Sequence, residues 1–271
     1  MYLGNEAIDL RLALIDSAQC FRWVESQGRF GAVFAGRAVW IWQENGLQTE
    51  GGGAWLRNYL DLERDYAALM APYAEFPAAR EACRTFSGMR VLRQDAWETL
   101  ICFILSANNN VGRIRRLVYA LSEALGEPVE SRGEMLYAFP QPEALAACTE
   151  SNLRAMGVGY RAPFLRETAR CVLEGFPLRE LSQMPYEQAH RLLTSLPGVG
   201  DKVADCVLLF GCGHDEAFPV DVWVERLMES WFHESGSRRE LARRGRERFG
   251  ACAGILQQYL FHAARVGAIS L

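Results

Sequence analysis

The chain has 271 residues, half of them apolar and 23% charged, which is enough for a large buried core and argues against a disordered chain. A formal net charge of −4 excludes a uniformly basic nucleic-acid coat. Residues 1–86 hold 8 basic and 11 acidic side chains and residues 87–271 hold 21 and 22, so any DNA-binding face has to be a local arrangement.

In chain order, Ile8, Leu10, Leu12 and Leu14 alternate at period two, followed by FRWV, RFGAVFAG and AVWIWQ, broken by Gly28, Gly36 and Gly46. This pattern predicts a meander of antiparallel strands from Ile8 onward. Gly51, Gly52 and Gly53 break it, and from there helices are expected to run to the end. Asp95 with Glu98 three residues later predicts a capping box before WETLICFILSA, an apolar helix that should be buried and should stop at Asn108, Asn109 and Asn110. Further helices are expected over VGRIRRLVYALSEALG, closed by Gly126, and near 161–174, 186–195, 200–210, 221–232, 238–249 and 251–266. The fold class is therefore α+β, mainly α: an N-terminal antiparallel sheet domain with flanking helices over 1–86, and a helical domain over 87–271.

No apolar run approaches the length of a membrane span, and MYLGNEAIDLRL lacks the basic-then-apolar pattern of a secretory leader, so an intracellular protein is expected. The eight cysteines (Cys20, Cys83, Cys102, Cys148, Cys171, Cys206, Cys212, Cys252) are scattered and none forms C-x-x-C, which predicts reduced thiols and no zinc site.

Of the 29 lysines and arginines, one alone is lysine, Lys202, at the end of LPGVGDK. Arginine supplies charge as well as lysine but cannot lose its proton to become a nucleophile. Leu196-Pro-Gly-Val-Gly200 lies between two helical patterns. Gly198 and Gly200 permit a tight turn and close backbone approach, and the helix N-terminus that follows favours a phosphate. Taken alone, the two glycines also fit a plain helix-helix turn, Lys202 a surface residue, and Asp221, before DVWVERLMESWF, a helix N-cap.

The full string LPGVGDKVADCVLLF followed by AFPVDVWVERL resembles the helix-hairpin-helix DNA glycosylases, and more narrowly the 8-oxoguanine DNA glycosylase family. The resemblance extends through QCFRW (19–23), VLRQD (91–95), SANNN (106–110), LRAMGVGYRA (153–162) and PVDV (219–222), in one order over most of the chain. It implies a helical glycosylase domain in two lobes, with the hairpin near 186–210, and a bifunctional glycosylase/lyase. In such an enzyme Lys202 attacks the sugar, the imine formed permits strand cleavage by β-elimination, and Asp221 is the catalytic aspartate.

Cys206 lies four residues after Lys202 and Phe261 four after Gln257, and the resemblance implies that Cys206 and Phe261 sandwich the extruded purine while Gln257 reads its Watson–Crick edge. Guanine differs from 8-oxoguanine at N7, an acceptor in the normal base and a donor in the oxidised one, so a backbone carbonyl aimed there discriminates. The resemblance assigns that carbonyl to Ala18, where the family pattern usually has glycine. It assigns filling of the vacated stack to Asn108, a wedge to Tyr160, and recognition of the opposite cytosine to Arg113 and Arg161. Trp223 stands where related enzymes often carry histidine, and no phosphate contact is expected from it.

The implied partner is duplex DNA with 8-oxoguanine opposite cytosine, bound by a monomer. No organic cofactor or iron–sulfur cluster is implied, although the hairpin can accept a monovalent cation. The expected location is cytoplasmic in a bacterium and nuclear in a eukaryote. Two rivals stay open, a monofunctional alkylbase glycosylase using Asp221 and water, and a non-catalytic hairpin module. An endonuclease III-like cluster is excluded because only Cys252 lies beyond Cys212, and a Schiff-base barrel enzyme lacks the strand-helix alternation.

Overall fold

The computed structural model describes residues 1–269. The N-terminal region forms β1 (Tyr2–Gly4), β2 (Val24–Ser26), β3 (Arg29–Phe34), β4 (Arg37–Gln43) and β5 (Leu47–Glu50), an antiparallel sheet in the order β1-β5-β4-β3-β2. Gln27-Gly28 and Ala35-Gly36, all at positive φ, close the two tightest hairpins as two-residue loops whose twist matches that of the strands. Gly31 is opposite Trp40, and a Cβ there would lie 2.6 Å from the indole, so glycine makes room for this buried ring.

Three short helices follow, α1 (Trp55–Tyr59), α2 (Tyr66–Met70) and α3 (Pro77–Thr85). Next come α4 (Ala96–Ser106), α5 (Val111–Leu125), the hairpin β6 (Pro128–Ser131) and β7 (Glu134–Tyr137), and then α6 (Pro142–Ala147), α7 (Glu150–Ala155) and α8 (Ala162–Leu173). The chain continues through α9 (Tyr186–Thr194), α10 (Asp201–Val207), α11 (Val222–Phe232), α12 (Arg238–Phe249) and α13 (Ala253–Arg265).

The core divides by face. Leu14, Trp23, Ile41, Leu56, Tyr59 and Leu92 fill one side of the sheet, while Val33, Trp40 and Leu136 join its other side to the β6–β7 hairpin. The main helical core is built around α4, whose residues 97–105 are all buried, and it also takes Tyr66, Met70 and Ala82 from α2 and α3. Leu12 and Phe21 also enter this helical core and Leu92 the sheet core, so the two cores interleave along the chain.

Three expectations need correction. Residues 8–14 do not form a strand. The Asp9 carboxylate accepts from Leu12 N at 2.9 Å and starts a wide helical turn over Leu12–Asp16. Ile8, Leu10 and Leu14 enter the sheet core and Leu12 the helical core, with Asp9 and Arg11 exposed between them, so burial toward two cores imitates a period-two pattern. Strands also do not end at Gly53, since Arg132-Gly133, at φ 58° and 76°, closes the β6–β7 hairpin, and Ser131 Oγ accepts from Trp40 Nε1 at 3.1 Å. Finally, the capping box at α4 is only half formed. Asp95 accepts from Glu98 N at 3.0 Å, but the Glu98 carboxylate turns inward to Arg22 at 3.2 Å. Burial raises that carboxyl to about 7, against the pull of Arg22.

Candidate active site

The hairpin joins α9 to α10. Gly198 has φ +78°, and a Cβ there would lie 2.7 Å from the Phe164 ring, so both conformation and space require glycine. Gly200 is different: it has φ −95°, serves as N-cap of α10, and a Cβ there would meet open space. Its value is an unobstructed backbone at a helix N-terminus, where an anion can come close.

Lys202 lies in the first turn of α10. Its Nζ donates to Ser106 Oγ at 3.1 Å and sits 4.8 Å from the centre of the Phe103 ring. Ser106 in turn donates to the Phe103 carbonyl at 2.7 Å, which directs an oxygen lone pair toward the amine. Cys206, one turn on, is buried. Burial pushes its thiol up to about 12, and the adjacent Lys202 opposes this.

Asp221 caps α11, its Oδ1 accepting from Trp223 N at 2.9 Å and Val224 N at 3.0 Å. Both Lys202 and Asp221 line a cleft of about 840 Å3, together with Ala18, Asn108, Gly198, Gly200, Cys206, Gln257 and Phe261. That volume suits a small-molecule-sized guest. Gln257 is only 4% exposed, and its Oε1 is buried with no hydrogen-bond partner among the described residues. An unsatisfied acceptor on the wall of a cleft calls for a donor on the guest.

The three remaining candidates flank the cleft and differ among themselves. Tyr160 is 53% exposed and donates to the Ala107 carbonyl at 3.2 Å. Arg113 is exposed, with one weak bond to the Gly157 carbonyl at 3.4 Å. Arg161 is 2% exposed, and its guanidinium donates to the carbonyls of Ala107, Asn108 and Val158. In this state it braces the Asn108 loop from below and does not present its donors to a base.

Sequence reasoning missed Phe103, Ser106, Gln258 and Arg265, which also line the cleft. Arg265 extends the Gln257–Phe261 spacing by another turn, a signal available in the sequence. Trp223 lines the cleft too, and Arg226 approaches its ring at 5.9 Å. A second cavity, of about 340 Å3, lies between the sheet and α5; it is lined by residues such as Phe21, Tyr119 and Leu136 and by no lysine or carboxylate. Among the described residues, no helix is long and apolar enough to cross a membrane.

A glycine hairpin, a lysine in the first turn after it and a carboxylate capping a neighbouring helix, all on one cleft, define the helix-hairpin-helix class of base excision repair proteins. Residues 101–250 match the family model described as "HhH-GPD superfamily base excision DNA repair protein", and residues 2–100 match "8-oxoguanine DNA glycosylase, N-terminal domain". The chain belongs to the 8-oxoguanine DNA glycosylase family of that superfamily. Among solved structures it resembles MBOgg1 in complex with a low affinity DNA ligand, at 32% identity and a TM-score of 0.92, over 98% of this chain and 95% of that one. It also resembles the Clostridium acetobutylicum 8-oxoguanine glycosylase/lyase bound to duplex DNA containing cytosine opposite 8-oxoG, at 32% identity and a TM-score of 0.91, over 97% and 94%. Among curated relatives, a Methanothermobacter thermautotrophicus protein named "Probable N-glycosylase/DNA lyase" is 37% identical over 200 residues, 66% of this chain and 64% of that protein. The chain spans less than two thirds of the length of the curated relatives that it matches first.

Proposed function

We propose that the protein excises 8-oxoguanine from duplex DNA and then cleaves the strand, through an imine formed on Lys202. The observation that carries this reading is the chain's single lysine, set against Ser106 and Phe103 in the same cleft as Asp221 and the unsatisfied Gln257 acceptor. The hairpin holds the DNA backbone, and the lesion nucleotide rotates out of the stack into the cleft. Asn108 takes up the vacated space, Tyr160 wedges beside it, and Arg113 donates to the cytosine left behind. Arg161 joins that recognition by exchanging its loop carbonyls for the base.

In the cleft the purine lies between the Cys206 thiol and the Phe261 ring. Gln257 Oε1 accepts from the donors of its Watson–Crick edge, and the Ala18 carbonyl accepts from N7–H. Neutral Lys202 attacks C1′, and the electron pair of the glycosidic bond leaves with the base. The sugar ring then opens to a protonated imine at C1′, loss of the C2′ proton supplies the electrons that expel the 3′ phosphate, and hydrolysis frees the amine. Asp221, kept as an acceptor by two backbone N–H groups, stabilises the positive charge that develops on the sugar. Amine and carboxylate suffice for this sequence, so no cofactor enters it.

The test is an end-labelled duplex with one 8-oxoguanine, placed opposite each normal base in turn and resolved with and without alkaline treatment. Strand cleavage without alkali, fastest opposite cytosine, is expected. Base release that becomes a break only after alkali would instead identify a monofunctional glycosylase, and no release at all a binding module.

A further inference from the structure

Two side chains of α13 that the proposed chemistry does not use converge on the turn before Gln19. Gln258, 2% exposed, donates from Nε2 to the Ser17 carbonyl at 2.8 Å. Arg265 donates from Nη2 to the Asp16 carbonyl and also lies 3.1 Å from His262 Nδ1. Burial, helped by the Arg265 charge, lowers His262 to about 4, so its ring is neutral at physiological pH and Nδ1 accepts.

The turn that they hold is strained. Ala18 has φ +61°, a left-handed conformation that a residue with a Cβ keeps only where its surroundings over-determine it. Those surroundings are present. Ser17 is fully buried, with its hydroxyl donating to the Ala13 carbonyl at 3.1 Å. Gln19 reaches Ser17 Oγ at 3.0 Å and the Arg90 carbonyl at 2.7 Å, and its Oε1 accepts from Leu92 N at 2.8 Å. Asp16 and Ser17 are fastened to α13 and Gln19 to the 90–92 segment, which leaves Ala18 to face the cleft. Helix α13 therefore does two things: Gln257, Gln258, Phe261 and Arg265 all line the cleft, and Gln258 and Arg265 also hold the turn that carries Ala18.

We infer that Gln258 and Arg265 are positioning residues that set the aim of the Ala18 carbonyl, and through it the selectivity for a purine carrying hydrogen at N7. The inference rests on the reading that this cleft takes 8-oxoguanine. A carbonyl held in line attracts the N7–H of the oxidised base and repels the N7 lone pair of guanine. Once loosened it loses both effects, and selectivity falls from both ends.

The experiment uses the full chain carrying Lys202→Gln, to measure binding without turnover. Dissociation constants are compared for duplexes with 8-oxoguanine or guanine at the same position opposite cytosine. Gln258→Met and Arg265→Met, which remove the donors at similar length, should each lower the guanine-to-8-oxoguanine ratio of dissociation constants by about tenfold, the scale of one well-placed hydrogen bond. Arg265→Lys keeps one donor and should restore most of the ratio. A general loss of folding or of DNA affinity lowers both terms together, so the ratio isolates the aim of the carbonyl. Unchanged ratios in both Met variants would overturn the inference alone, as would a collapse in Arg265→Lys as deep as in Arg265→Met. A parent protein that does not discriminate would sink the 8-oxoguanine reading, and this inference with it.

Discussion

On the proposed mechanism, Asp221 performs two jobs that substitution can separate. As N-cap of α11 it offers Oδ1 to Trp223 N at 2.9 Å and Val224 N at 3.0 Å, a task that an asparagine oxygen performs equally well. As the anion facing a developing sugar cation it cannot be replaced by a neutral amide. Asp221→Asn should therefore cost only a few tenths of a kcal/mol in stability, whereas Asp221→Ala should cost about 0.5–2 kcal/mol by uncapping the helix. For a chain of this size that loss corresponds to a melting shift of roughly 2–4 °C per kcal/mol. Turnover should follow charge and not capping. Both variants should lose about 100- to 1,000-fold in single-turnover release of 8-oxoguanine, the typical result of removing a preorganised electrostatic partner. Urea titration gives the stability arm, and quench-flow on a labelled duplex the kinetic arm. If Asp221→Asn turned over near the parent rate while Asp221→Ala did not, the aspartate would be a cap and its charge irrelevant.

The hairpin glycines should also separate. Gly198→Ala should destabilise by about 2–4 kcal/mol, because it adds strain at φ +78° and a clash with Phe164. Gly200→Ala should cost under about 1 kcal/mol in a melt yet weaken binding to any duplex in a filter or anisotropy assay. Of the two arginines, exposed Arg113→Ala should relax the cytosine preference with melting unchanged, whereas Arg161→Ala should lose about 1–3 kcal/mol by leaving the Asn108 carbonyl without its donor and the Ala107 carbonyl with Tyr160 alone. Equal melting of these two variants would contradict the bracing role of Arg161. Burial raises Asp205 from 3.8 to about 7, although the Tyr186 hydroxyl donates to it at 2.6 Å. Between those values the folded protein holds a proton that the unfolded chain has released, so this group's contribution falls as pH climbs from about 4 to about 7 and is level above. Asp205→Asn should remove that decline from stability measured by urea at several pH values, and a parent and variant with parallel profiles would refute it.

The residues that meet in the cleft were more legible in the sequence than their long-range partners. Local signals carried the hairpin, because Gly198, the cap at Asp221 and the i,i+4 pairs Lys202–Cys206 and Gln257–Phe261 each depend on a few neighbouring residues. The segment Ile8–Leu14 mimics a strand because Ile8, Leu10 and Leu12 are buried toward two different cores while Asp9 and Arg11 between them are exposed, an alternation that a short helical turn shares with a strand. The β6–β7 hairpin was readable from Arg132-Gly133, the same residue-then-glycine turn as Gln27-Gly28, but it lies in an otherwise helical stretch. Long-range partnerships left no periodic trace. Nothing near Glu98 announces Arg22, nothing near Lys202 announces Ser106, and Gln258 meets Ser17 across 241 positions.

The central claim is that the chain's one side-chain amine is the nucleophile, and reductive trapping tests it most directly. Borohydride converts an imine to a stable amine, so the parent protein mixed with duplex DNA containing 8-oxoguanine should become covalently joined to the strand, with the adduct mapping to Lys202. Lys202→Arg keeps the charge and approximate length but cannot supply a neutral amine, and it should give no adduct. Lesion-dependent trapping of Lys202→Arg at the parent's efficiency would contradict the account.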